Sequence, residues 1–147
     1  MAIKLNLNQE VKEAPQQIKA GEYEVTATNF DTKVVGDKNV ISFEYEIRDD
    51  VEQEFQGRKI FQDDFFCTEK ALWKIENASI AAGFTEEESE FEKYTEWAKA
   101  FLNKKLRLVV KYEEANNGKE YLRVKYYNKS RVAPPAPVDI DESELPF

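Results

Sequence analysis

Histidine is absent from this 147-residue chain, and cysteine occurs only at Cys67. Without histidine the chain lacks the commonest general base and the commonest metal ligand in proteins. Zinc sites, Cys-His pairs and Ser-His-Asp triads are therefore excluded, and only a carboxylate-bound magnesium or calcium ion is left open. A single cysteine cannot form an internal disulfide, which suits a reducing cytoplasm.

The chain also lacks any long apolar stretch. No run approaches the roughly 18 residues that a membrane span requires, and no signal-peptide pattern follows Met1, so no membrane association is expected. Hydrophobic residues make up 41% of the chain and aromatic residues 13%, which is too much for a disordered protein. We expect one folded domain at residues 1–131, followed by a linker and tail at 132–147.

Charge is distributed unevenly along the chain. The net charge is −8, from 21 basic and 29 acidic residues. Residues 84–103 carry six acids against two lysines, and residues 132–147 carry four acids and no base. By contrast, residues 104–131 carry nine bases against three acids. An acidic protein can still present one basic face, and this last segment is where an anionic ligand is expected.

Alternating apolar and polar residues predict five strands. The first three are GEYEVTATNF at 21–30, VISFEYEIRDD at 40–50 and RKIFQDDFF at 58–66. Two more follow, KLRLVVKYEE at 105–114 and EYLRVKYYN at 120–128. Together they predict a mostly β fold: a five-stranded antiparallel OB-fold barrel with a helical insertion between strands 3 and 4, and a disordered C-terminal tail. A five-stranded α+β sandwich stays open as the alternative.

Two helices are predicted in the insertion. Thr68 is placed to cap a helix over residues 69–82, and Gly83 is placed to end it. A second, shorter helix is predicted over residues 95–103. The side chains expected to pack inward are Leu72, Trp73, Ile75, Ser79, Ala82, Trp97, Phe101 and Leu102.

The last two strands form a predicted hairpin whose register depends on its loop. Asn-Gly at 117–118 first indicates a two-residue turn, but that turn sets apolar positions against polar ones. A three-residue loop at 116–118, with Gly118 in the left-handed conformation, shifts the register by one and repairs the mismatch. The resulting pairs are Leu108 with Tyr126, Val110 with Val124, and Tyr112 with Leu122.

This register leaves a second face on which basic residues are interleaved with tyrosines. Lys111 lies opposite Arg123, a like-charge pair that an anion over the face would relieve. Basic side chains neutralise phosphates and aromatic rings stack on exposed bases, so the face predicts a single-stranded nucleic-acid interface. A solvated strand face of the same composition is the open alternative. The candidate binding residues are Arg107, Lys111, Lys119, Tyr121, Arg123, Lys125 and Tyr127.

Four further residues are candidates for nucleic-acid contact. Lys33 and Lys38 lie in the predicted loop between strands 1 and 2, which OB-folds often use to contact ligands. Lys59 and Phe61 share one face of strand 3, beside the expected position of strand 5. A core position is the first interpretation of Phe61, and a stacking platform is the second.

Two pairs of adjacent acids, Asp49–Asp50 and Asp63–Asp64, are the candidates for a magnesium site. Neighbouring residues of a strand point to opposite faces, so we interpret both pairs as strand-end and turn residues. No cofactor, metal site or catalytic residue is predicted, and the chain is not expected to be an enzyme. A carboxylate–metal nuclease is the enzymatic alternative.

The tail joins a stiff linker to clustered carboxylates. The stretch RVAPPAPV has three prolines in four positions and predicts an extended segment. The following DIDESELPF resembles the acidic C-terminal tip of bacterial single-stranded DNA-binding proteins, with Leu145 in place of an isoleucine and glutamates in place of some aspartates. The resemblance implies a docking tip, whose ring enters an apolar pocket while the acids approach a basic surface. Its residues are Asp139, Asp141, Glu142, Glu144, Leu145, Pro146 and Phe147.

The body carries a second resemblance. AGEYEVTATNFDTKVVGDKNVISFEYEI, FQGRKIFQDDFF and FLNKKLRLVVKY resemble a family of small bacteriophage proteins, formerly labelled a domain of unknown function and similar to single-stranded DNA-binding proteins. This implies a protein that coats single-stranded DNA during phage replication or recombination in the bacterial host cytoplasm. The tail then recruits replication and recombination proteins. Homo-oligomer formation is left open. The alternative is an acidic adaptor or DNA mimic that binds a host protein.

Overall fold

A single antiparallel sheet dominates the structure, a computed structural model that describes residues 2–5, 7 and 17–132. The strands lie in the order β3-β2-β1-β4-β5. This confirms the predicted mostly β fold of five antiparallel strands. Within residues 17–132, no backbone ladder joins β3 to β5, so hydrogen bonding does not close the sheet. The strands are β1 (Gly21–Val35), β2 (Lys38–Ile47), β3 (Lys59–Phe66), β4 (Lys105–Glu114) and β5 (Glu120–Asn128).

The long strand β1 is the centre of the sheet. Residues 21–26 of β1 pair with β4, and residues 25–35 pair with β2, ending at Val35 opposite Lys38. The predicted loop between the first two strands is therefore wrong over most of its length. Gly36 adopts a left-handed φ of 65°, which lets the chain reverse in two residues and leaves the rest of the segment free to pair.

The inner face of the sheet carries the core. Inward-facing residues of β1, β2 and β4 are buried, as their alternation predicts. Phe43 is the hub of an aromatic cluster, since its ring lies 4.8 Å from the ring of Phe101, 5.7 Å from that of Trp97 and 5.9 Å from that of Phe65. Apolar burial of this kind, together with edge-to-face ring contacts, is the main stabilising contribution.

Two α-helices, α1 (Leu72–Ala81) and α2 (Tyr94–Phe101), lie between β3 and β4. Thr68 acts as a cap, but of a 3-10 turn over Glu69–Ala71 that precedes α1, where its hydroxyl accepts from the Ala71 N–H. The turn moves the start of α1 to Leu72. The buried residues of α1 are Ile75, as predicted, together with Ala78 and Ala81. The inward positions predicted for Leu72 and Trp73 are therefore wrong. Those predicted for Trp97 and Phe101 on α2 are confirmed.

The β4–β5 hairpin confirms the three-residue loop. Gly118 has a φ of 81°, and the Ala115 N–H donates to the Lys119 carbonyl at 2.8 Å, which places residues 116–118 in the loop. The predicted pairs of Val110 with Val124 and of Tyr112 with Leu122 are observed. The predicted pairing of Leu108 with Tyr126 is wrong. A β-bulge inserts Lys125, after which Val109 lies opposite Tyr126 and Leu108 opposite Tyr127.

Candidate nucleic-acid interface

The bulge at Lys125 exchanges the roles of the two neighbouring tyrosines. Tyr127 turns toward the core, where its ring lies 6.0 Å from that of Phe65 and its hydroxyl donates to Asp63 Oδ2 at 2.6 Å. Tyr126 takes the outer position and is 62% exposed. The predicted placement of Tyr127 on the outer face is thus wrong. Sequence alternation could not reveal Tyr126, because an unmarked bulge resets the period without leaving a signal in residue type.

Asp63 links the unpaired edges of the sheet. Its Oδ2 accepts hydrogen bonds from Tyr45 and Tyr127, each at 2.6 Å, and its Oδ1 lies 3.1 Å from the Lys74 ammonium of α1. Burial raises the pKa of Asp63, although Lys74 and the two tyrosines act to lower it. Burial and the adjacent carboxylate raise the pKa values of both tyrosines well above 10. Side chains therefore hold β3 and β5 together where the backbone does not.

Asp64, next along β3, points the other way and pairs with Lys33 at 2.9 Å. The opposite orientation of the two acids is as predicted, and it prevents them from sharing an ion. Among residues 2–5, 7 and 17–132, no group of three or more acidic or cysteine side chains is placed to hold a metal ion.

A groove of about 270 Å³ runs between β3 and β5, and we call it the β3–β5 groove. Phe61 lies on its β3 side and is 59% exposed, so its first interpretation as a core residue is wrong. Gln62 follows with a φ of 61° in a bulge opposite Glu44, which bends the β3 edge at this point. Tyr121 and Arg123 of β5 lie on the other side. The groove therefore brings together four of the residues predicted from the sequence, since Lys59 also lines it.

Arg123 and Lys111 supply the positive charge beside the groove. They lie opposite each other in the β4–β5 ladder, as predicted, and neither has an ion-pair partner within 4 Å in residues 17–132. The Arg123 guanidinium lies 5.2 Å from the centre of the Tyr121 ring, a cation–π arrangement that orients both groups. Tyr121 also accepts a hydrogen bond from the Asn117 amide at 3.0 Å, so its ring is held in place from the loop.

Lys119 and Lys38 stay exposed at the tips of the two hairpins, and neither has an ion-pair partner in the part of the chain that the structure describes. Lys119 extends the positive field of the β3–β5 groove, because it belongs to the same hairpin as Tyr121 and Arg123. Lys38 begins β2 on the separate β1–β2 hairpin, which Lys33 also occupies. The predicted basic residues thus lie on two separate surfaces, one at the β4–β5 hairpin and one at the β1–β2 hairpin.

Arg107 is engaged within the sheet. Its guanidinium lies 2.9 Å from Glu24 and 3.1 Å from Glu22, both on the neighbouring strand β1. Burial acts to lower the pKa of Arg107, but the hydrogen bonds to the two glutamates outweigh it and raise the pKa. A phosphate would have to displace these carboxylates, so Arg107 contributes less free charge than its position on the outer face implies.

Lys59 and Lys125 also have acidic partners. Lys59 lies 3.2 Å from Glu44 and 3.5 Å from Glu46, the outward acids of β2, and hydrogen bonding to Glu44 raises its pKa. Lys125 pairs with Glu113 across the hairpin, and this contact lowers the pKa of Glu113. Both pairs are partly exposed, where ion pairs contribute little and exchange easily for another anion.

The predicted partner-binding tail, from Asp139 to Phe147, lies outside the described residues. None of the helices that the structure does describe is long and apolar enough to cross a membrane.

A family model described as "Protein of unknown function (DUF669)" matches residues 6–137. No curated protein matches the chain. Because the matched region covers most of the sequence, including all five strands and both helices, the chain belongs to the DUF669 family.

Proposed function

We propose that this DUF669 protein binds single-stranded DNA without sequence preference and performs no chemistry on it. The observation that supports this most is the β3–β5 groove, in which exposed Phe61 lies across from Tyr121 and from Arg123, a cation with no ion-pair partner within residues 17–132. We place this activity in bacteriophage DNA replication or recombination, in the cytoplasm of the bacterial host cell, as the resemblance of the body to phage proteins implies.

The groove suits single strands better than duplex. Unpaired bases expose their faces, and each base that stacks on an aromatic ring contributes about 1–3 kcal/mol to binding. Phe61 and Tyr121 offer such rings on opposite sides of the groove. Duplex DNA buries its base faces, so it would engage only the cations. Arg123, Lys111 and Lys119 then neutralise phosphates along the backbone.

The architecture supports an OB-type barrel as part of this proposal. The order β3-β2-β1-β4-β5 is that of a five-stranded barrel opened between β3 and β5. The open edges are bridged by the Tyr127–Asp63 hydrogen bond at 2.6 Å and by the contact between the rings of Phe65 and Tyr127. OB-folds are partly open barrels that bind oligonucleotides on the face of strands 2 and 3 and through the loops between strands 1 and 2 and between strands 4 and 5. The proposed groove borders strand 3 and the β4–β5 hairpin, and the outward Glu44 and Glu46 of β2 disfavour a path over strand 2.

The tail completes the proposal as a docking segment for replication and recombination proteins. Four carboxylates between Asp139 and Glu144 precede Leu145, Pro146 and Phe147, which combines a charge for steering with an apolar group for anchoring.

The test is titration of a fluorescently labelled oligo-dT with the full chain, read as anisotropy at several salt concentrations. If three cations contact phosphates, log K should fall with log salt at a slope of about −2, since single strands give roughly −0.7 per neutralised phosphate. Blunt duplex of equal length is the control ligand and should bind much more weakly. Equal affinity for the duplex contradicts the proposed stacking.

Variants locate the site. Tyr121→Ala should weaken binding by about 5-fold to 150-fold with an unchanged salt slope, because it removes a stacking partner. Arg123→Ala should weaken binding and make the slope shallower by roughly 0.7. Lys99→Ala, an exposed cation of α2 outside the groove, is the matched charge control and should bind like the parent. If both groove variants bind as the control does, the β3–β5 groove is not the site.

A second candidate function is an acidic adaptor that binds a basic protein instead of DNA. It is favoured by an apolar pocket of about 640 Å³ between α1 and residues 84–94, whose lining includes Glu76, Glu86, Glu88 and Glu92. In that case the labelled oligonucleotide should show no change in anisotropy at low salt, and the net charge of −8 would repel it.

A further inference from the structure

A second groove, of about 960 Å³, separates α1 from β5, and we call it the α1–β5 groove. Three large side chains line it while remaining mostly exposed: Trp73 (61%) and Ile80 (62%) of α1, and Tyr126 (62%) of β5. Within residues 17–132, no other segment therefore covers the apolar side chains that α1 and β5 present to this groove. Exposed apolar groups gathered in one place indicate a binding surface.

The charged side chains that line this groove are all basic, although Lys74 pairs with Asp63 and Lys125 pairs with Glu113. Lys74, Lys125 and Lys129 line it, and no carboxylate does, although the chain has 29 acidic residues. Lys129 has no ion-pair partner within 4 Å in the described part of the chain. The pocket between α1 and residues 84–94 is lined by glutamates instead, although it is adjacent, since Ile80 borders both. An anionic occupant fits the α1–β5 groove.

The α1–β5 groove and the proposed DNA site both border strand β5. Tyr121 and Arg123 line the β3–β5 groove, while Lys125 and Tyr126 line the α1–β5 groove. Five residues of strand span about 17 Å, so both sites lie within reach of one short oligonucleotide. Tyr127, turned inward, lines the α1–β5 groove.

We infer that single-stranded DNA continues from the β3–β5 groove into the α1–β5 groove, where bases stack on Trp73 and Tyr126 and Lys129 contacts the backbone. This inference rests on the proposed function and extends it to a second site. Aromatic rings interleaved with lysines are what such a strand requires. The Lys125–Glu113 pair is exposed, so a phosphate can replace the glutamate at little cost.

Tryptophan emission tests the inference directly, because the chain has two tryptophans in different surroundings. Trp97 is 3% exposed in the core, whereas Trp73 is 61% exposed in the groove. Unlabelled oligo-dT should therefore quench the emission of the full chain through Trp73 alone. Trp73→Phe should abolish the quenching while anisotropy of a labelled oligonucleotide still reports binding.

Affinity provides the second readout. Trp73→Ala should weaken binding by about 5-fold or more, and Trp73→Phe, which keeps an aromatic ring, should weaken it less. Leu72→Ala is the matched control, since Leu72 is a partly exposed neighbour on α1 that lines the pocket between α1 and residues 84–94 instead. Thermal unfolding of each variant shows whether it is folded, and an exposed position predicts little change.

The outcomes separate the two claims. If the labelled oligonucleotide binds the parent chain but Trp73 emission is unchanged and Trp73→Ala binds equally well, the strand does not enter this groove and the proposed function stands. If the labelled oligonucleotide does not bind at all, the proposed function and this inference are both overturned.

Discussion

Tyr127→Phe tests whether side chains hold the open edge of the sheet. The substitution keeps the ring against Phe65 and removes only the hydroxyl that donates to Asp63 at 2.6 Å. Asp63 retains the Tyr45 hydroxyl and the Lys74 ammonium, so its charge stays compensated. The expected loss is that of one buried hydrogen bond to a carboxylate between β3 and β5.

The magnitude follows from that geometry. A hydrogen bond to a charged group contributes about 1.5–3 kcal/mol to stability, and the remaining partners of Asp63 favour the lower part of this range. We therefore expect the free energy of unfolding to fall by about 2 kcal/mol, from a total of about 5–15 kcal/mol for a domain of this size. The melting temperature should fall by roughly 4–8 °C.

Urea denaturation followed by circular dichroism measures this loss. Tyr126→Phe is the matched control, because it makes the same change one residue away on a side chain whose hydroxyl has no hydrogen-bond partner in residues 17–132. The control should change the free energy of unfolding by less than about 0.5 kcal/mol. Equal losses in the two variants would refute the idea that the Tyr127–Asp63 contact joins the edges.

Three further predictions concern the chain outside this contact. Burial raises the pKa of Glu24, but hydrogen bonds from Ser130 and the Arg131 backbone outweigh it and leave the pKa below 4.5. The ionised Glu24 therefore stabilises the fold above that pH, and this stabilisation is lost as the pH falls through the lowered pKa. Glu24→Gln should make the free energy of unfolding depend less steeply on pH in the acid range, and equal pH dependence in parent and variant would contradict this. Gly118→Ala should lower the free energy of unfolding in urea by about 1–2 kcal/mol, because φ is 81° and a side chain is strained in this conformation. A Cβ added here would meet no atom within 4 Å, so the loss reports backbone strain alone, and no loss would argue against the left-handed loop. Deleting residues 134–147 should tighten binding of oligo-dT at low salt only, because four competing acids are removed, whereas weaker binding opposes this.

The strands were the most predictable part of the fold. β4 and β5 begin and end where the alternation of apolar and polar residues predicts, and the buried positions of β1 and β2 follow the same period of two. The loop at residues 116–118 was also predictable, because only one register matches apolar rows on both strands. Local pattern suffices where each strand buries one face against a continuous core.

The helices and the end of the hairpin were less predictable. A 3-10 turn at Glu69–Ala71 precedes α1, and Trp73 is exposed where a packing role was expected. Hydrophobicity gave no warning, since a tryptophan suits a core and a binding groove equally. The α1–β5 groove could not be predicted for the same reason. Its residues Trp73 and Tyr126 can be placed together only when the orientation of α1 and the bulge in β5 are both known.

By itself, then, the sequence determined five strands, the charge of each segment and the like-charge pair of Lys111 and Arg123. These features depend on residue type and on the two-residue alternation of a strand, both of which are local properties of the sequence. The tertiary structure alone decided which cations are neutralised, since Arg107 meets Glu24 only across β1 and β4. It also decided which tyrosine faces outward, because Asp63 of β3 holds Tyr127 inward across the open edge from 64 residues away. Contacts between distant segments, which no local pattern records, made that choice.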